Sequence, residues 1–293
     1  MWDVLILGLL AGGVLALIAV GLTLIFGVMD VVNFAHGEFV MFGMMGTALL
    51  AGHLGTTPYL TGLIVTVLAI PAAVVVYVLV IRPTLGRSLY VQVFATLGLS
   101  IVLQAVALMA FGPRTVAVRD DTASTRLSLL GVSVELGRVI AFGVALLLVG
   151  TTWAFLTRSR MGQEIRAVSE DNYAAKVVGI RVGRAYLSVF VAGAVFAVIA
   201  GAVIVPFQAV TPTSGITFAL TSFVVVVLGG FGSLPGALAG GLTIGVVETA
   251  AGYYLGTEWS QGALFLIFVL VLLLRPAGLF GKKAGDAELV GGH

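Results

Sequence analysis

A chain of 293 residues that is 60% hydrophobic and only 10% charged is not a soluble domain, which carries roughly 25% charged residues. Its formal charge of +2 gives no ground for a nucleic-acid partner, and the absence of cysteine excludes disulfides and thiolate chemistry. At about 20 residues per span the length accommodates about eight to ten crossings and no separate soluble domain, so residues 1–293 read as a single transmembrane domain and soluble machinery is expected on other chains.

The opening M-W-D-V-L-I has no basic region and no small-residue cleavage site ahead of its first apolar run, which therefore reads as a retained helix. Apolar segments follow at Val4–Phe26, Phe34–Ala51, Leu60–Ile81, Leu89–Phe111, Gly137–Leu156, Ala185–Val205, Thr217–Leu228, Ala237–Leu255 and Gly262–Leu274. The expected fold is an all-α polytopic membrane protein with about nine transmembrane helices. The segments from Phe34 and Thr217, and the last, are short for a full crossing and are expected to be broken, tilted or re-entrant.

Between the first two segments stands D-V-V-N-F-A-H-G-E, Asp30 to Glu38. Ionisable groups inside a span cost about 2.5 to 3.5 kcal/mol each on insertion scales, so the cluster needs a reason. Three readings are open: a turn at the cytoplasmic interface; a broken helix in which Asn33, His36 and Glu38 hold one another; direct contact with a transported molecule. The brace is the leading reading, because irregular backbone survives at membrane depth only where protein buries it or where it lines a cavity.

Basic residues set the orientation, since Lys and Arg accumulate in short cytoplasmic loops. Arg82 and Arg87 lie in one connection, Arg158, Arg160, Arg166, Lys176, Arg181 and Arg184 in another, and Arg275, Lys282 and Lys283 follow the last span. The connection Gly112–Leu136 offsets Arg114, Arg119 and Arg126 with Asp120, Asp121 and Glu135, which places it outside. The N-terminus is then outside and the short tail, 275–293, is cytoplasmic.

The polar loop Thr157–Arg184 reads as two short helices, with Ile165 and Val168 on one face of the first, Ser169 or Asp171 capping the second, and Gly179 ending it. It either anchors topology by its arginines or docks a soluble partner, through Arg166, Glu170, Asp171, Ala174, Ala175 and Gly179. Farther on, Pro206, Pro212 and Gly215 forbid a continuous helix over Val205–Phe218; this stretch is an outer loop or an outer gate whose uncharged Gln208 and Thr211 let a zwitterion pass. Glu248 is an isolated acid, read first as a structural group at a helix interface and second as part of a path. Glycines at small-xxx-small spacing, Gly8 and Gly12, then Gly232, Gly236 and Gly240, then Gly241 and Gly245, point to close helix packing or to an interface with a second membrane subunit. His53 and His293 read as surface residues. No residue set has metal-ligand or catalytic-triad spacing. The G-x-x-x-x-G-K-[ST] phosphate loop is absent, G-L-F-G-K-K from Gly278 having the wrong spacing, so ATP hydrolysis is expected on a separate chain, and no enzyme activity or cofactor here.

Gly21 to Gly43, with N-F-A-H-G-E intact, resembles the N-terminal signature of the branched-chain amino acid permease family of the LivH type. Leu228 to Glu248, with G-S-L-P-G-A and its closing Glu, resembles the second. The run Ala174, Ala175 and, after three residues, Gly179 is similar to the coupling motif of ABC importer permeases, with Tyr173 where a Glu usually stands. The resemblance covers Val4 to Lys283. It implies an ABC importer permease in a bacterial or archaeal inner membrane, moving branched-chain amino acids by alternating access. It also implies a homologous second permease, two ATPase subunits carrying ATP and magnesium, and an extracytoplasmic substrate-binding protein. A permease for urea or short amides, and an ion-coupled secondary transporter using His36, Glu38 and Glu248, are the alternatives.

Overall fold

A computed structural model describes residues 1–118, 120–275 and 278–280; Arg119, Lys282, Lys283, His293 and most of the tail lie outside the described residues. Helix α1 (Trp2–Met29) is followed by α2 (His36–Leu54) and α3 (Pro58–Val76), which runs through a π turn at Tyr77–Ile81 into α4 (Arg82–Thr84). Then come α5 (Leu89–Phe111), the short α6 (Asp121–Ser124), an antiparallel hairpin of β1 (Arg126–Leu129) and β2 (Val132–Glu135), and α7 (Leu136–Arg158). The polar loop forms α8 (Arg160–Glu170) and α9 (Asn172–Val177), after which α10 (Val182–Ile204), α11 (Ser214–Gly229), α12 (Leu234–Tyr254) and α13 (Thr257–Leu274) complete the fold. Every apolar segment becomes a helix, so the chain is a polytopic all-α membrane protein.

Seven of these helices are long and apolar enough to cross a bilayer, counting Pro58–Thr84 as one; α2 and α11 are not among them. Helix α11 has only 16 residues, whereas α2 has 19 but is made less apolar by His36, Glu38 and His53; the two nevertheless share a feature. The first part of each passage is irregular chain, and the helix begins only at depth. His36 packs its ring against the carbonyl of Ile18, which precedes Met29 by 11 residues, and Glu38 meets Ser100, 11 residues beyond Leu89. At 1.5 Å per residue both place the start of α2 about 17 Å inside the helix ends, near the middle of a hydrocarbon core about 30 Å thick. Gly215, in the first turn of α11, lies against Glu38, so α11 starts at that depth too, approached from the other side.

The two breaks belong to a repeated, inverted design. Helices α1, α2, α3 and α5 correspond to α10, α11, α12 and α13: α1 packs on α12 as α10 packs on α3, and α1 on α11 as α10 on α2. At the centre α1 crosses α10 through Gly21 and Gly193, where a Cβ on either would meet the other's carbonyl oxygen at 2.7 Å. Small residues do the same between α1 and α12, where Gly8 lies on Val246 and Gly245, and Gly12 on Gly241 and Leu242. Such close backbone approach is how helices associate where lipid offers no hydrophobic drive. Gly236 packs on Gly229, Gly240 on the carbonyl of Val225, and Gly232 sits in the turn before α12 against Gly27. The glycine spacing therefore serves packing within this chain. Meanwhile α3, α5 and α13 carry the broad exposed faces of Leu, Val and Ile that a lipid-facing helix requires.

The ends agree with the charge pattern. Ser169 of α8 donates to the carbonyl of Gly27 at 2.6 Å, and Leu279 donates to the carbonyl of Leu228 at 2.8 Å. The inner ends of α1 and α11 thus meet the arginine-rich loop and the segment after Arg275. At the opposite end the β hairpin packs Val132 and Val134 on Leu10 of α1, and Val116 pairs with Val210 through two backbone hydrogen bonds of 2.8 and 2.9 Å.

Candidate functional site

The break after α1 is built from local chemistry. Asp30 ends the helix in the left-handed region at φ 52°, a conformation that Asp tolerates better than most residues. The chain then runs back inward, and Asn33 turns it into α2 by accepting a hydrogen bond from the Ala35 amide at 3.1 Å. Asn33, His36 and Glu38 are all fully or almost fully buried. They do not hold one another, contrary to the brace expected from the sequence. His36 donates from Nε2 to the Ile18 carbonyl at 3.0 Å, which fixes the hydrogen on that nitrogen because a carbonyl can only accept. Glu38 accepts from the Ser100 hydroxyl at 2.9 Å. The physical reason is helical geometry: residues two apart on a helix point about 200° apart, so His36 faces α1 while Glu38 faces α5 and α11. Each polar group locks α2 to a different neighbour.

At the midplane the first turns of α2 and α11 meet. Gly37 lies on the carbonyl of Gly215 and the backbone of Ala219, and Gly215 lies on the carboxylate of Glu38. The acid sits in the first turn of its own helix and beside the first turn of another, where unpaired amides give each helix end a partial positive charge. Ahead of α11, which has no side-chain cap, the Thr211 amide donates to Ser214 Oγ at 3.3 Å, and the Thr211 and Ser214 hydroxyls lie 3.0 Å apart. Thr211 is thus part of the turn that leads into the helix.

Toward the outside, α1, α7, the end of α10, α11 and α12 enclose a cavity of about 240 Å³. Gln208 and Glu248, far apart in the sequence, both line it, together with Thr217, Thr221 and Arg138. Glu248 is half-buried and has no hydrogen-bond or ion-pair partner among the described residues. Arg138 had no place among the residues expected from the sequence, where it stands at the start of the apolar segment Gly137–Leu156. It stands in the first turn of α7, donates from Nε to Glu135 Oε2 at 3.2 Å, and lays its guanidinium 5.0 Å from the centre of the Phe207 ring.

At the inner end a second cavity opens between α1, α7, α8 and the start of α12, with Thr23 and Gly27 of α1, Leu156 and Thr157 of α7, Arg166 and Ser169 of α8, and Ser233 before α12 on its walls. At both cavities α7 and α12 flank α1 while scarcely touching each other. Between the two cavities α1 is buried from Ala16 through Leu22.

The cytoplasmic element is ordered by two side-chain caps. Ser159 accepts from the Gly162 amide at 2.9 Å, and Asp171 accepts from Tyr173 and Ala174 at 2.8 and 3.0 Å. Ile165, Val168 and Ala175 are buried beneath it, and Gly179 closes α9 at φ 87°. Arg166, Glu170, Asp171 and Ala174 face outward, alongside Tyr173, Val177 and Val178, which are 71 to 75% exposed. That is a hydrophobic patch on the face that the arginines assign to the cytoplasm.

Residues 4–274 match the family model described as the permease component of the branched-chain amino acid transport system. The chain is 30% identical over 288 residues to the high-affinity branched-chain amino acid transport system permease protein LivH of Escherichia coli, with 94% of each chain covered. It is 30% identical over 289 residues to BraD of Pseudomonas aeruginosa, again covering 94% of each. A probable LivH of the archaeon Methanocaldococcus jannaschii is 27% identical, with 91% of this chain and 88% of that one aligned. With nearly its whole length matched, the chain belongs to the family of branched-chain amino acid transport permeases.

Proposed function

We propose that this chain is the membrane-spanning permease subunit of an ABC importer that carries branched-chain amino acids across the cytoplasmic membrane of a bacterium or archaeon. Family membership supports the transport class, and the relatives named for branched-chain amino acids support the substrate. The observation that carries the mechanism is the capped α8–α9 element. It is the structured cytoplasmic piece, it presents exposed Tyr173, Val177 and Val178 beside charged Arg166, Glu170 and Asp171, and it is bonded through Ser169 to the end of α1. ATPase subunits dock there, supply the energy that this chain has no phosphate loop to extract, and change which of the two cavities is open. A homologous second permease completes the membrane part, and an extracytoplasmic binding protein delivers the cargo to the hairpin side.

The test is assembly. Tyr173→Asp combined with Val177→Asp, on exposed positions that no buried contact requires, should abolish co-purification of the ATPases while the permease still inserts at normal levels. Retention of the ATPases by that variant would remove α9 from the interface.

A further inference from the structure

The outer cavity combines features that a mere packing defect does not. A carboxyl group and a guanidinium, of Glu248 and Arg138, line the same space and are not paired with each other. A carboxyl group with no partner in a membrane span is costly and would be expected to close on a guanidinium that faces the same cavity. Here their helices hold them apart. Arg138 spends only Nε on Glu135 and keeps its two Nη groups without an acceptor among the described residues, which leaves the flat edge suited to a second carboxylate. Glu248 has no donor at all among the described residues. The remaining wall is apolar, from Val14, Leu15, Ile204 and Phe218.

We propose that this cavity is a binding site for a free α-amino acid, with the Glu248 carboxylate taking the ammonium group, Arg138 the carboxylate, and the apolar wall the side chain. The assignment rests on the permease reading above and deepens it by placing the cargo on this chain at its outer end. A zwitterion suits the arrangement because its ammonium meets the unpartnered Glu248 while its carboxylate meets the Nη edge of Arg138 that Glu135 leaves free, whereas an acid or an amine alone engages only one of the two. Gln208, from the irregular stretch before α11, adds an uncharged donor and acceptor at the mouth. Since binding must remain weak enough for release, occupancy at millimolar amino acid is expected.

The chain has no cysteine, so Ala11→Cys puts a lone thiol on the cavity wall. The full-length chain is assembled with its partner subunits in lipid nanodiscs, and the rate of labelling by a neutral thiol reagent is followed against added ligand. L-leucine should slow labelling, while 4-methylpentanoate, which lacks the ammonium group, and isoamylamine, which lacks the carboxylate, should need about tenfold or more higher concentration. In Glu248→Gln the advantage of leucine over 4-methylpentanoate should vanish, and in Arg138→Gln the advantage over isoamylamine should vanish; Arg138→Lys should restore part of it. A purely structural role for either residue would not change selectivity in this paired way. If a variant fails to assemble, the three-ligand comparison on the otherwise unmodified chain decides. Equal protection by all three ligands, or no protection by leucine in a complex that imports leucine, would overturn the site. A wild-type complex that imports no leucine would instead overturn the proposed function, which the uptake assay reads separately.

Discussion

Gly37 and Gly215 are where two helix ends meet backbone to backbone, and what surrounds each decides what a methyl group would cost. A Cβ on Gly37 runs into the Gly215 carbonyl and the Ala219 backbone, which cannot move without shifting α11; a Cβ on Gly215 meets the end of the Glu38 side chain, which can. Gly37→Ala should therefore be the more damaging, by about 1 to 3 kcal/mol as an overpacked core site, and should lower the melting temperature of the purified chain more than Gly215→Ala does. The Gly215→Ala loss should be partly relieved by Glu38→Ala, and a double-mutant cycle measures that coupling. The same residues show how far sequence reasoning reaches. Asp30 to Glu38 announces a helix break because its polar groups are too many for a span, and Asn33 as a cap is readable from residue type. Which neighbour each side chain holds is not readable, because Ile18 and Ser100 are ordinary positions in other helices until the fold brings them close.

At the scale of elements, α9 depends on one aspartate. Asp171→Ala removes both of its capping bonds, worth about 1 kcal/mol. If α9 is the docking surface, that should weaken ATPase retention by roughly fivefold in a pull-down titration while membrane insertion stays normal. Here the residues were legible: a short polar side chain, a run of helix formers and a closing glycine give the boundaries of α8 and α9 almost as observed. The outer hairpin was not. R-L-S-L and V-S-V-E do alternate, yet the turn between them is Leu130 and Gly131, both at positive φ, 51° and 85°. Leucine is a poor residue for that conformation, so the usual Asn-Gly signal is missing and the segment looks like loop. The shortness of α11 was visible in its apolar run, and the break before α2 in its polar residues; that both begin at one depth from opposite sides was not, since the matching features are a glycine after each break and a proline in the first turn of the next helix.

Across the whole molecule, the most extensive seam joins α1 to α12. Gly12 has the backbone of Gly241 and Leu242 within 2.7 Å of where its Cβ would be, and Gly8 has Val246 within 2.6 Å. Gly12→Leu should therefore prevent the two halves of the repeat from closing on each other, giving protein that inserts but elutes as aggregate on size-exclusion chromatography, whereas Gly52→Ala, with open space around it, should elute normally. The arginine distribution already oriented this assembly, because membrane insertion reads charge directly from the chain. The inverted pairing of the helices depends on which surfaces fit, and a run of Leu, Val and Ala looks the same whichever partner it meets.

Helix α1 runs 28 residues without a proline or a kink-forming insertion, a length of about 42 Å. Its inner end is tied by the Gly27 carbonyl to Ser169, and some 20 to 26 Å away Leu10 and Val14 form part of the outer cavity wall. A stiff rod fixed to the proposed docking element at one end and lining the proposed cargo site at the other would act as a lever. Tilting it about the Gly21–Gly193 crossing would move its two ends in opposite senses, so that drawing α8 inward at the cytoplasm would shift the outer wall the other way. Opposed motion of the two gates would then need no relay of side chains, only a single pivot made of glycine.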